Sequence, residues 1–455
     1  MVSQSVLLRG GVVVTMDASR RIIVDGAVGF ENRKITFVGK ADEAAKAGKF
    51  DKVIDTSGCF VMPGLVCAHT HLYGIALRGA PLRIRPTTDF LENLQRIWWP
   101  LDEKMDNDDA YATALAACME MVLNGTTTFA DTYSAPPNPE GSLDAIAKAV
   151  NEVGIRGIIS FEATERRSVE EGRRGLEENV RFLAKGGNGL AKGMISLHAS
   201  FTITDDLIAR GMEAAKKFGA PITIHVSEGP NDVYHNIERY GKRTVERLKD
   251  TGLLGPSTVL AHCVHLNQRE IQLCAATGTH VAHNPMSNML NAVGVMSLPE
   301  MLQANINVGL GNDGYVFDGF ENMRAAFLIH RVHRRDPSII SPQTVVELAT
   351  VNAAKCYGLL DIGSIEVGKK ADVIVVRPEV YATPMNRNVY GYLVNGMKGG
   401  DVEHVFVDGV QVVENRRLTK LDKEKAEKTI VETIEKLWSR LGESPSEAVE
   451  PLKVK

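Results

Sequence analysis

From about residue 63 to 362 the chain repeats one pattern. A short, nearly continuous apolar run is followed by a longer stretch in which apolar positions recur every three to four residues. The first kind predicts strands buried on both faces, and the second predicts amphipathic helices. The predicted strands cover 61–71, 126–132, 157–163, 194–200, 221–228, 258–265, 280–285 and 306–313, with helices at 110–123, 170–184, 205–218, 233–250 and 267–276. Such regular alternation predicts a closed (β/α)8 TIM barrel, whose chemistry belongs at the C-terminal strand ends. On either side the texture changes. Residues 12–16, 26–30, 35–38 and 53–55, and again 371–377 and 402–414, are short β-rich runs broken by Gly and Asp turns. They predict one discontinuous β-sandwich built from both ends of the chain. The predicted division is 1–62 and 363–419 for the sandwich, 63–362 for the barrel, and 420–455 for a C-terminal helix and polar tail.

Composition narrows the class without changing this outline. The 455 residues are 44% apolar and 24% charged, values of an ordinary globular protein, which excludes fibrous and disordered classes. The formal charge is only −4 and no Lys/Arg block occurs, so neither a nucleic acid nor a membrane is an expected partner. A small molecule is, and a homodimer is the default assembly. No secretory signal pattern opens the sequence, and no apolar run approaches the roughly 18 residues of a spanning helix. Six cysteines without a C-x-x-C pair are expected to be reduced and buried, as in a cytoplasmic protein.

The chemistry lies where the strands end. His69 and His71 are spaced i, i+2, which on a strand sends both imidazoles to one face. His198 ends the fourth strand, His225 and Glu228 the fifth, His262 the sixth, His283 the seventh and Asp313 the eighth, so six of twelve histidines fall at one end of the barrel. A mononuclear hydrolytic site wants about three protein nitrogens, often a carboxylate, and an open position for water. His69, His71, His225 and Asp313 supply that set for one divalent ion, zinc first and iron as the alternative. Glu228, three residues past a ligand, is placed to carry a proton between water and a leaving group. His262 is either a further ligand or, as we prefer, a donor to developing negative charge. Arg83 and Arg85 match planar acceptors such as a carboxylate, or are simply solvated. Tyr73, just past a ligand position, is a candidate to line the pocket. Trp98 either covers a flat ring or packs on the barrel rim.

Residues 63–71 (PGLVCAHTH), 225–228 (HVSE), 261–265 (AHCVH), 283–288 (HNPMSN) and 311–314 (GNDG) resemble the amidohydrolase superfamily, in the branch of triazine hydrolases and guanine, cytosine and S-adenosylhomocysteine deaminases. Residues 197–202, 291–294 and 314–315 look most similar to SsnA-type aminohydrolases. The resemblance implies hydrolytic attack on an sp² carbon, usually C–NH₂ in a purine, pyrimidine, pterin or triazine ring. By it, His69, His71, His225 and Asp313 match metal ligands, Glu228 and His262 a proton-transferring pair, and His198 a substrate contact. Ring-opening of a cyclic amide or loss of halide at the same site is the alternative, and a catalytically silent scaffold a distant third. Two departures matter. The fourth strand has no lysine placed to bridge a second metal. The first charges after Arg78-Gly79 are Arg83 and Arg85, where nucleoside-type deaminases carry an acid for ribose, which argues against an adenosine-like substrate.

Overall fold

The computed structural model describes residues 5–44, 48–379 and 388–442. The first strands are β1 (Val6–Val14), β2 (Ile22–Glu31), β3 (Lys34–Lys40), β4 (Lys52–Asp55) and β5 (Phe60–Pro63). The hairpin from β2 to β3 turns at Asn32 and Arg33, both with positive φ (50° and 69°), a pair of dihedrals whose twist matches that of the flanking strands.

At Gly64 the chain leaves this sheet for another. Its amide donates to Asp372 O (3.0 Å) while the next amide, of Leu65, donates to Gly125 O (2.9 Å). A Cβ at Gly64 would lie 2.2 Å from the Thr127 side chain, so only glycine fits the crossing. The predicted strand 61–71 is therefore two strands, β5 and then β6 (Leu65–Thr70) in the barrel. The barrel continues with β7 (Thr126–Tyr133), β8 (Arg156–Ala163), β9 (Ala191–Gly193), β10 (Ile195–Ala199), β11 (Ile222–Val226), β12 (Thr258–His262), β13 (His280–His283) and β14 (Val308–Leu310). Apart from short β9, which pairs with β8, these strands form one parallel path from β6 to β14. The ring is completed by a parallel bridge between Thr70 and Asp313, with Asn312 N–H donating to His69 O at 3.0 Å. The expected helix over 233–250 is broken in two, Pro230–Tyr240 and Thr244–Asp250, because Gly241 caps the first in the left-handed conformation (φ 67°).

Beyond the barrel, β15 (Val373–Val376), β16 (Val402–Val407), β17 (Val410–Glu414) and β18 (Arg417–Leu418) join the N-terminal strands in the order β18-β17-β16-β15-β5-β1-β2-β3, with β4 on β1. Phe30 on β2 and Phe406 on β16 stand four strands apart in that order, about 19 Å if the sheet were flat. Their rings lie 5.0 Å apart, so the sheet folds over on itself and encloses a core with Val6, Leu8 and Val373. The helix Lys423–Gly442 returns to the barrel, where Trp438 Nε1 donates to Ala76 O (2.7 Å) and Arg440 Nε to Lys104 O (3.1 Å). The expected tail, apart from Gly442, lies outside the described residues. Among the described residues no helix is long and apolar enough to cross a membrane.

Candidate active site

The candidate residues at the ends of β6, β10, β11 and β12, with Glu228 and Asp313 just past β11 and β14, gather at one mouth of the barrel, while His283 at the end of β13 pairs with His330. His71 Nδ1 lies 2.7 Å from Thr132 O, and His225 Nδ1 lies 2.6 Å from His198 O. A carbonyl only accepts, so both Nδ1 atoms carry the proton and both Nε2 atoms are left with bare lone pairs. Those two Nε2 atoms face each other at 3.1 Å. Asp313 Oδ1 adds a third acceptor 3.1 Å from His71 Nε2 and 3.9 Å from His69 Nε2. His69 is buried with neither ring nitrogen hydrogen-bonded, its ring edge-on to His71 and His225 with centroids at 4.9 and 4.8 Å. Acceptors that converge in a buried site repel one another unless a cation sits among them. A tetrahedral ion with ligands near 2.0–2.1 Å holds its donor atoms about 3.3 Å apart, close to the spacing found here. Burial and neighbouring imidazoles hold His69 and His225 well below the ordinary histidine range, so both keep lone pairs for a metal.

Glu228 Oε2 stands 3.5 Å from His262 Nε2, and His262 Nε2 is 4.0 Å from Asp313 Oδ2. His262 Nδ1 is 2.9 Å from Asn288 Oδ1, a partner that assigns the proton to Nδ1 and turns Nε2 toward Glu228. Burial, reinforced by the charge of Asp313, raises the Glu228 carboxyl well above the usual carboxylate range. Asn291 Nδ2 approaches Glu228 Oε1 at 3.4 Å. Its own Oδ1 accepts from Asn93 (2.7 Å) and from the Tyr315 hydroxyl (3.0 Å), which in turn accepts from Trp98 Nε1 (2.8 Å). These bonds orient the amide so that its NH₂ faces the acid.

A cleft opens over this cluster, walled by Tyr73, Phe90, Leu94, Trp98, Trp99 and Phe201. The flat apolar walls suit a planar ring. His198 borders it with Nδ1 2.7 Å from Thr202 Oγ1, and burial, helped by the Arg166 charge, holds its pKa down to about 3. Tyr73 and Trp98 are both buried and both line the cleft, so Trp98 packs on the rim and faces the pocket at once. Arg83 and Arg85 do not reach it. They are exposed on the irregular segment before the helix Phe90–Asn93, and neither borders the cleft. His330, on the helix Gly319–Arg334, is buried with Nε2 3.0 Å from His283 Nε2.

Sequence reasoning missed several residues that border the site. Glu162 on β8 lies 3.5 Å from His225 Nδ1 and 3.8 Å from His71 Nδ1. Its place one residue before the end of a predicted strand was a usable signal. Asp102, tied to Arg166 and Ser134 (both 2.8 Å), and Asp232 also face the cleft, but both sit on helices whose sequence gives no such cue.

The chain matches the amidohydrolase family over residues 60–412. It is 36% identical to the 5'-deoxyadenosine deaminase of Methanosarcina mazei, across 96% of this chain and 99% of that one. It is 33% identical to the 5-methylthioadenosine/S-adenosylhomocysteine deaminase of Syntrophobacter fumaroxidans, across 90% and 93%. The structure superposes on atrazine chlorohydrolase from Arthrobacter aurescens, solved with zinc, with a TM-score of 0.82 and 25% identity over 95% of this chain and 100% of that one.

Proposed function

The chain belongs to the amidohydrolase family, and from that premise we propose that it is a metal-dependent aminohydrolase that releases ammonia from an amino-substituted N-heterocycle. The observation that carries this is the convergence of bare Nε2 lone pairs and the Asp313 carboxylate beside the Glu228–His262 pair. His69, His71, His225 and Asp313 hold one divalent ion in this reading. Zinc is supported by the nitrogen- and oxygen-rich donor set and by the zinc in the chlorohydrolase neighbour. Bound there, the ion would lower the pKa of the attacking water.

The chain's own groups do the rest. The aromatic walls hold the ring, with His198 against its edge. Water adds to the amine-bearing carbon; Glu228 takes its proton and passes it to a ring nitrogen. A second proton moves from the new hydroxyl, through His262 and Glu228, to the amine, and ammonia departs.

The relatives' names point to adenosine derivatives as the substrate class. The loop after Gly79 still supplies no spare acid for a ribose, since Asp89 caps a helix and Glu92 accepts from Thr88 and Arg96. Ribose contacts would then come from other groups around the cleft. Six buried, unbridged cysteines support a reducing, cytoplasmic setting.

Zinc-replete protein is expected to release ammonia from 5'-deoxyadenosine or S-adenosylhomocysteine, giving a product in which NH is exchanged for O. Silence with both, and with a panel of aminopurines, aminopyrimidines, pterins and triazines, would sink the proposal. Chloride release from a chlorotriazine would instead favour the reaction named for the structural neighbour.

A further inference from the structure

Ser227 lies between the ligand position His225 and Glu228, and it takes the left-handed conformation with φ 48° although it is not glycine. Both of its backbone polar groups are held. Its carbonyl accepts from His265 N–H (3.0 Å), and its N–H donates to Asp232 Oδ2 (2.5 Å). Asp232 is buried in the first turn of the helix Pro230–Tyr240, where the helix N-terminus favours a carboxylate. Its other oxygen accepts from the Ser200 hydroxyl and from Asn236 Nδ2 (3.0 Å). Ser200 follows His198 by two residues, and its carbonyl is held by Arg247 Nη1 at 2.6 Å. One carboxylate therefore ties the end of β10 to the turn after β11, the two segments that present His198 and Glu228.

We propose that Asp232 is the positioning residue of this site: by holding Ser227 in its left-handed turn and Ser200 beside it, it sets where the Glu228 carboxyl stands relative to His262 and the bound ring. The inference rests on Glu228 being the proton carrier, and it assigns Asp232 no contact with the reacting atoms. A displacement of about 1 Å at a reacting group costs on the order of 100-fold in rate.

The test is a double-mutant cycle, with ammonia release from 5'-deoxyadenosine by zinc-loaded protein as the assay. Asp232→Ala is expected to lower kcat about 100-fold while KM and zinc stoichiometry stay within about threefold. In a Ser227→Gly background the same change is expected to cost about tenfold or less, because glycine takes positive φ without being held. An equal loss in both backgrounds, or a loss explained by missing zinc, overturns the proposal. Crystal structures judge it independently of any substrate. The Glu228 to His262 separation, 3.5 Å here, should change by about 1 Å in Asp232→Ala and return with Ser227→Gly added. An unmoved Glu228 overturns it, and Asp232→Asn serves if the alanine variant does not fold. Near-parent activity of Glu228→Gln would end the proton-carrier reading, whereas the crystallographic result for Asp232 would stand or fall separately.

Discussion

Ser227, His262, Cys263 and Asp313 all take left-handed backbone without being glycine, with φ of 48°, 72°, 52° and 57°. Each such residue costs roughly 1–3 kcal/mol and persists only where its surroundings over-determine it. These four, of the fifteen non-glycine residues with positive φ among the described residues, stand around the acceptor cluster. Glu228→Gln keeps the size and the Asn291 contact but removes the proposed proton carrier. It should retain zinc and lose about 10²–10⁴-fold in ammonia release; near-parent turnover would move the role elsewhere. Asp131, in β7, is a fully buried acid. Its Oδ1 accepts from Leu72 N–H (2.8 Å), Oδ2 has no partner, and burial pushes its pKa up to about 8. Since an unfolded chain releases that proton near 3.8, its contribution to stability is full below about pH 4 and declines as the pH rises through 8. Asp131→Asn should flatten the stability profile across that window in urea titrations run at several pH values. An unchanged profile would show that another group titrates there.

At the scale of elements, the shape of the site depends on where strands stop. The eighth strand, read as 306–313, ends at Leu310, and the next three residues leave the ladder to bring Asp313 across to Thr70. Hydrophobic pattern does not mark that point, because Gly311 and Asn312 continue a small, buried run. The Gly64 crossing is the converse case: an apolar run that reads as one strand serves two sheets. Gly64→Ala would force its Cβ into Thr127, and overpacking of this kind typically costs about 1–3 kcal/mol. A lowered denaturation midpoint with unaltered zinc content is the expected result, and parent-like stability would show that Thr127 can yield. The C-terminal helix reaches the same region from far along the chain, since Trp438 holds the carbonyl of Ala76 in the segment that leaves His71.

Across the whole molecule, the two sheets are joined by more than the covalent crossing. Arg156, at the start of β8, is buried against Asp372, whose Oδ1 also accepts from Asp408 N–H (2.7 Å), so a buried ion pair ties the barrel floor to the sandwich. The acceptor cluster joins β6, β11 and the segment after β14, and without a cation it is a site of repulsion within the barrel. Stripping zinc with a chelator should therefore lower the thermal midpoint, and added zinc should restore it. Binding at 100 to 1,000 times Kd is worth about 3–4 kcal/mol; a midpoint indifferent to zinc would argue against a metal site. The sequence by itself determined the alternation of strand and helix, the β-rich ends and the polar residues at the strand termini, because periodicity and turn chemistry are properties of neighbouring residues. Only the tertiary structure decided that Phe30 meets Phe406, that Asn291 turns its amide to Glu228, that Asp232 fastens Ser227, and that Arg83 and Arg85 are exposed and not among the residues that wall the cleft. Those relations join segments far apart in the chain or depend on how a loop settles on its neighbours, and packing of that kind leaves no local pattern to read.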